Sequence, residues 1–404
     1  MTSKIVILIL LLIGPIHIWV WQSLFSTNVV SYIYTSIAFI AVILLVNEKM
    51  RRKFRLNKVV YLFLFIQAII FIKLLLIKAT YQHFAVVLVD TIGILLLSQQ
   101  SGKADFLKKY FFILVGVNIL AIIAFFISPS IFTYTLFSGG AKGDSFEFSS
   151  FRFTGIFGPP GVASFYFSIM YAFFLNRFFQ KSQRTFAYLF FAIFCLGSGL
   201  LTGNRSFIVL VGIISLFILS KSFFSFKKIT IYVFTIFLIV FVFNDLYQNI
   251  NLMMTARWEE NFDNRLYGGT GSLDILKALN ISDILFGSTY FNNGEFWIKV
   301  GNGYYQPHNG IIFYLVSYGL LVAIPIVYIY GSGIKNGIRL LKEKSNIDNI
   351  FLLIAFIVSL IISLVESFLL LQINFIIIFQ LFDHKFIYSS KRITNTTQAI
   401  PEHF

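Results

Sequence analysis

Apolar residues run in blocks of fifteen to twenty along most of the chain, separated by short polar linkers. A helix needs about 20 apolar residues to cross a hydrocarbon layer about 30 Å thick. On that ruler the pattern predicts spans near 5–25, 29–46, 59–77, 84–98, 110–128 and 161–177, and again near 185–201, 206–220, 229–243, 310–330, 350–370 and 372–388. The runs lack period-2 alternation, and backbone polar groups cannot go unpaired in lipid, so helices rather than barrel strands are expected. The expected fold class is all-α: a polytopic membrane helical bundle of about 12 transmembrane helices, a single domain over 1–404. Lys4 followed by the apolar run from Ile5 to Trp21 has the outline of a signal peptide. It lacks a small-x-small cleavage site and further spans follow, so it reads as the first helix.

Composition sharpens this picture. The chain is 58% hydrophobic and 12% charged, with a mean hydropathy of +0.83, whereas soluble domains carry about twice that charged fraction. The net charge of +15 is not gathered into an arm or stripe, which argues against nucleic acid as a partner. Lys4 and the linkers at 47–58, 98–109, 177–184, 220–228, 331–349 and 383–404 hold most of the 32 Lys and Arg. The alternate linkers hold only Lys142, Arg152, Arg205, Arg257, Arg265, Lys277 and Lys299. Lys73 and Lys78 fall at or near the outer end of the third span, where long side chains can snorkel to the interface. This alternation obeys the positive-inside rule and puts both termini in the cytoplasm. The lone Cys195, inside an apolar run, can form no internal disulfide and complete no cysteine-based metal site.

Two outer segments are long, 129–160 and 244–309, and loops of that size are commonly functional. The second reads as a folded cap on the membrane, with a short amphipathic helix capped by Ser272 and running through Leu279. The outer arginines have distinctive settings. Arg152 stands in FRFTGIFGPPG, Arg205 in TGNRS, and Arg257 and Arg265 flank WEENFDNR. Arginine's planar fork suits phosphate oxygens and keeps its charge under partial desolvation, so several arginines together would bind a diphosphate. For each arginine alone the competing reading is an interfacial anchor or an ion pair. His308, in PHNG where the large loop meets the tenth span, titrates near neutral pH and could accept a proton from a sugar hydroxyl. The competing reading is a solvated loop histidine, since His17 and His83 occur with no motif. Asp90 and Glu366 fall within apolar runs, as functional groups or as satisfied interhelical hydrogen-bond partners. The absence of a Walker A loop, a dinucleotide fingerprint, HExxH and a paired-Asp metal motif argues against ATP hydrolysis and metal-dependent transfer from nucleotide sugars.

Three of these segments together resemble the O-antigen ligase and polymerase superfamily of bacterial envelope glycan enzymes. They are FRFTGIFGPPGVAS, TGNRSFIVLVGI, and the stretch from SLDILKALNISDILFGSTYF to QPHNGIIFYLVSYGLL, with Gly319 as its helical glycine. The resemblance covers roughly 150–330. It departs from the family pattern at Pro159-Pro160, where Pro-Asn is expected, and at Asn204, where a small hydroxyl residue is commoner. It implies a metal-independent glycosyltransferase, without cofactor, in the bacterial inner (plasma) membrane, acting on undecaprenyl-diphosphate-linked oligosaccharides at its outer face. Carried onto this chain, Arg152 and Arg205 would hold the diphosphate, Arg257 or Arg265 would help from the loop, and His308 would be the base. Trp297 or Tyr304 could stack on sugar faces or seat the loop on the bilayer.

Two sizeable outer segments with arginines fit an enzyme that handles two similar lipid-linked substrates, which favours a repeat-unit polymerase for O-antigen or capsular polysaccharide. The alternatives are an O-antigen ligase, which transfers polymer to a lipid A core or other surface acceptor, and a lipid-linked oligosaccharide flippase. A flippase should show charged residues within its spans and pseudo-symmetric halves with short loops, whereas this chain has few intramembrane charges, no visible repeat and one dominant outer loop. Membrane lipid surrounds the chain on any of these readings, and a chain-length regulator and a flippase are the candidate protein partners.

Overall fold

The computed structural model describes residues 58–79, 81–100, 106–127, 133–135, 151–158, 160–179, 185–221, 272–292, 295–300, 303–305, 307, 309–342, 347–363 and 372–382, with isolated positions at 32–46 and 230. These residues are mostly helical. Helices α1 (Lys58–Leu76), α2 (Tyr81–Gln100) and α3 (Phe106–Ile127) fall on three expected spans, as do α4 (Pro160–Phe179), α5 (Thr185–Leu200) and α6 (Arg205–Lys221). Four stretches, Lys58–Leu76, Phe106–Ile127, Pro160–Phe179 and Leu320–Arg339, are long and apolar enough to cross a membrane, and shorter apolar helices accompany them. The chain is a membrane-embedded helical protein. The spans expected at 5–25 and 229–243 lie outside the described residues, and only isolated positions of 29–46 are described.

Helix α4 is the hub, buried along almost its whole length. Its Phe173 ring meets Phe111 of α3 at 4.9 Å, and its Phe174 ring meets Phe191 of α5 at 5.3 Å. Phe173 also meets, at 5.3 Å, Phe351 of α11 (Ile347–Ser363). Helix α1 has a different face pattern. Val59, Val60, Phe63, Ile66, Gln67, Ile70, Lys73 and Leu74 are buried at three- and four-residue spacing, while Tyr61, Phe65, Ile72 and Leu76 are exposed. An apolar residue on both the buried and the exposed side is what a helix bordering lipid requires.

Two expectations need correction. The apolar run at 310–330 is not one helix. It breaks at Gly319 into α9 (Gly310–Tyr318) and α10 (Leu320–Lys342). Gly319 has φ +72 and ψ −172, a region essentially confined to glycine. Asn309 starts α9, its Oδ1 accepting from Ile311 N and Ile312 N. The other correction concerns the all-α fold class, since the large loop also contains strands. After α7 (Ser272–Ala278) and α8 (Ile281–Phe286) comes an antiparallel sheet of β3 (Tyr290–Asn292), β4 (Glu295–Val300) and β5 (Gly303–Tyr305). In β4, Phe296 and Ile298 are buried while Lys299 is exposed, the period-2 signature of a sheet with one covered face. A smaller pair, β1 (Thr133–Thr135) and β2 (Phe151–Phe153), ties together the two ends of the 129–160 segment. Helix α12 (Gln372–Phe382) closes the described chain, with Phe375 edge-on to Phe63 of α1 at 4.9 Å.

Candidate functional site

The first two motifs meet. Phe153 N donates to Leu201 O at 3.1 Å, stitching the strand that carries Arg152 to the turn that leads into Arg205. Arg152 lies opposite Tyr134 in the β1–β2 ladder, and Arg205 is the first residue of α6. The strand then turns through the 3-10 segment Gly155–Phe157 into α4. Gly155 has φ +57, and a Cβ there would come within 2.1 Å of Asn118 Oδ1. Asn118, wholly buried on α3, accepts from Ile156 N at 3.4 Å and donates to Leu114 O at 2.9 Å.

The TGNRS turn is held from below and capped from within. Thr202 Oγ1 lies 2.9 Å from Ser164 Oγ on α4, both atoms buried, and each hydroxyl also has a carbonyl on its own helix, Gly199 O and Pro160 O. Gly203 takes φ +59. Asn204 Oδ1 accepts from Ser206 N at 3.0 Å. Asparagine caps a helix as well as serine does. The strand that bears Arg152 is therefore joined to the turn that leads into Arg205, and Arg205 opens a helix, whose N-terminal peptide dipoles favour an anion.

The third motif is docked on α1 and α2. The α8 and α9 helices end at Gly287 and Gly319, and their C-terminal carbonyls converge on one lysine. Lys73 Nζ donates to Phe286 O at 2.7 Å and to Ser317 O at 2.5 Å. Its ammonium lies 4.5 Å from the Phe296 ring centroid and 5.9 Å from that of Tyr318. The Asp283 carboxylate contributes an opposing charge. Lys73 is 9% exposed, so the expectation that it snorkels to the interface is wrong. The snorkelling rule assumes that water is the only partner for the charge, whereas two helix C-termini, each with unpaired carbonyls and a negative dipole end, supply one from the protein. His83 of α2 meets Phe291 at 5.2 Å, so the sheet rests on α2 as well.

Lys73→Met would leave Phe286 O and Ser317 O without their shared donor, at about 1–3 kcal/mol each, while relieving the burial of a charge. A net loss of about 2 kcal/mol is expected. Thermal unfolding of the purified protein in detergent checks it, and a melting temperature equal to wild type would mean that Lys73 does not hold the loop.

Trp297 lies in β4 opposite Tyr290, and Tyr304 lies in β5 opposite Lys299. Asp90 lies within α2 and is partly exposed, and Cys195 is buried in α5. Among the described residues no three His, Cys, Asp or Glu side chains gather in a way that could hold a metal ion. His308, Arg257, Arg265 and Glu366 lie outside the described residues. Comparison with protein-family models, with curated proteins and with solved structures finds no match to this chain.

Proposed function

We propose that this protein is a polymerase that joins undecaprenyl-diphosphate-linked oligosaccharide repeat units at the outer face of a bacterial inner membrane, within a bundle of about twelve spans with both termini cytoplasmic. The observation that supports the reading is the backbone bond from Phe153 N to Leu201 O, which joins the strand of Arg152 to the turn that precedes Arg205, segments some 50 residues apart in sequence. On this reading the two arginines take the donor diphosphate, assisted by Arg257 or Arg265. The acceptor hydroxyl attacks the anomeric carbon, the bond from that carbon to the diphosphate oxygen breaks, and the hydroxyl proton passes to His308. Undecaprenyl diphosphate leaves with the bonding electron pair, and the arginines stabilise the charge that grows on it. Attack opposite the leaving group inverts the anomeric centre.

The test is a strain lacking this gene, with surface glycan resolved on a gel. A ladder restored by the wild-type gene, with single-repeat product in its absence, supports polymerisation. Accumulation of carrier-bound polymer in the deletion strain would assign the protein as the ligase instead. Accumulation of unpolymerised lipid-linked repeat units on the cytoplasmic face would assign transport.

A further inference from the structure

Among the described residues, the short helix α8 carries an exposed apolar face. Ile281 is 78% and Leu285 42% exposed, and one helical turn of four residues puts them on the same side. The helix is nonetheless well built, with Asn280 Oδ1 accepting from Asp283 N at 2.7 Å and Asn280 N donating to Asp283 Oδ2 at 3.4 Å. Such a capping box fixes the helix in one register, so the apolar face is not the by-product of a fraying end.

Two observations say what covers this face. It continues a surface that borders lipid. Helix α8 packs against α10, a helix long enough to span, and the Leu285 carbonyl abuts Gly319 so closely that a Cβ there would lie 2.2 Å away. Immediately beyond Gly319, Leu321 and Ile324 of α10 are 47% and 61% exposed. The level of α8 along the spanning helices is set as well. Its last residue, Phe286, is bonded to Lys73, which stands three residues before the end of α1. At 1.5 Å of rise per residue, the Lys73 Cα lies about 4.5 Å inside the end of a spanning helix, and the reach of its side chain ties the α8 C-terminus near that end. Interfacial helices bury their apolar face at about this depth, 5–10 Å into the boundary between headgroups and acyl chains.

We infer that Ile281 and Leu285 insert into the headgroup–acyl boundary of the bilayer, so that the loop is footed in lipid beside α10 as well as pinned to Lys73. Lys277, whose side chain is 80% exposed on α7 and lies 3.7 Å from the Asp274 carboxylate, is a charged position suited to water. This assignment is independent of any catalytic role.

The test places a nitroxide spin label at Ile281→Cys, at Leu285→Cys and, for contrast, at Lys277→Cys, each in a Cys195→Ala background. The protein is reconstituted into phosphatidylethanolamine and phosphatidylglycerol vesicles. Collision with oxygen, which concentrates in lipid, is compared with collision with a water-soluble nickel chelate. The expected result is a ratio shifted toward oxygen at both α8 positions and toward nickel at Lys277→Cys. The two α8 positions serve as independent reports should one variant fail to fold, as judged by its gel-filtration profile. Nickel accessibility at the α8 positions equal to that at Lys277→Cys would place the face in water. Low accessibility to both reagents would mean that another part of the chain, or a second copy, covers it. Either outcome overturns the inference.

Discussion

On the polymerase reading proposed above, Arg205→Ala is expected to slow repeat-unit joining by about 10²–10³-fold, the usual consequence of removing one preorganised group that stabilises developing charge. His308→Ala is expected to cost about 10²–10⁴-fold, the range for loss of a general base. The arginine is the sharper probe because the backbone turn that leads into it is described. It opens α6, but the turn beneath it is held by other groups: Thr202 against Ser164, and Asn204 Oδ1 on Ser206 N. Alanine is a good helix former, so the substitution should leave the helix in place and remove only the guanidinium. Arg205→Lys should recover part of the rate, since it restores the charge without the two-pronged contact. The measurement is polymer formation from a lipid-linked repeat unit by purified protein in vesicles, with thermal stability recorded alongside. Wild-type rates from both alanine variants would remove these residues from the site.

How much of this was legible in the sequence depends on what kind of order a segment has. The spans at 59–77, 110–128 and 161–177 are read correctly because each is a continuous apolar block of the length that a bilayer demands. The break at Gly319 is invisible to the same ruler, since Leu315, Val316, Leu320, Leu321 and Val322 on either side keep hydropathy high. Only the backbone angle reveals it. The sheet at 290–305 was legible by another route. Tyr290-Phe291-Asn292 and Glu295-Phe296-Trp297 flank Asn293-Gly294, and two aromatic runs separated by Asn-Gly are the strongest local signal for a hairpin. An expectation of helices throughout obscured it. The junction of the Arg152 strand with the turn before Arg205 rests on a backbone hydrogen bond between distant segments, which no local pattern encodes. The role of Lys73 was hidden for a similar reason. Its partners are 213 and 244 residues away, and a lysine near the end of a span looks the same in sequence whether it reaches water or a helix terminus.

The docking of the loop should accordingly fail most severely where backbone meets backbone. At Gly319 a Cβ would lie 2.2 Å from Leu285 O, 2.5 Å from Leu285 C and 2.7 Å from Phe286 N. None of these atoms belongs to a side chain that could swing aside. The φ of +72 adds conformational strain to the collision, and such glycine-only angles cost about 1–3 kcal/mol for other residues. Overpacking typically adds a further 1–3 kcal/mol or so. Gly319→Ala is therefore expected to destabilise the protein by about 4 kcal/mol and to free the loop for proteolysis. Gly331→Ala is the matched control. It lies on the same helix as the residues that follow Gly319, but a Cβ there meets nothing within 4 Å. There alanine should be neutral or stabilising by up to about 1 kcal/mol. Thermal unfolding and limited proteolysis in detergent separate the two. If both variants behave alike, the α8 C-terminus does not rest on the α9–α10 junction, and neither the loop's tie to Lys73 nor the lipid footing of α8 would stand as described.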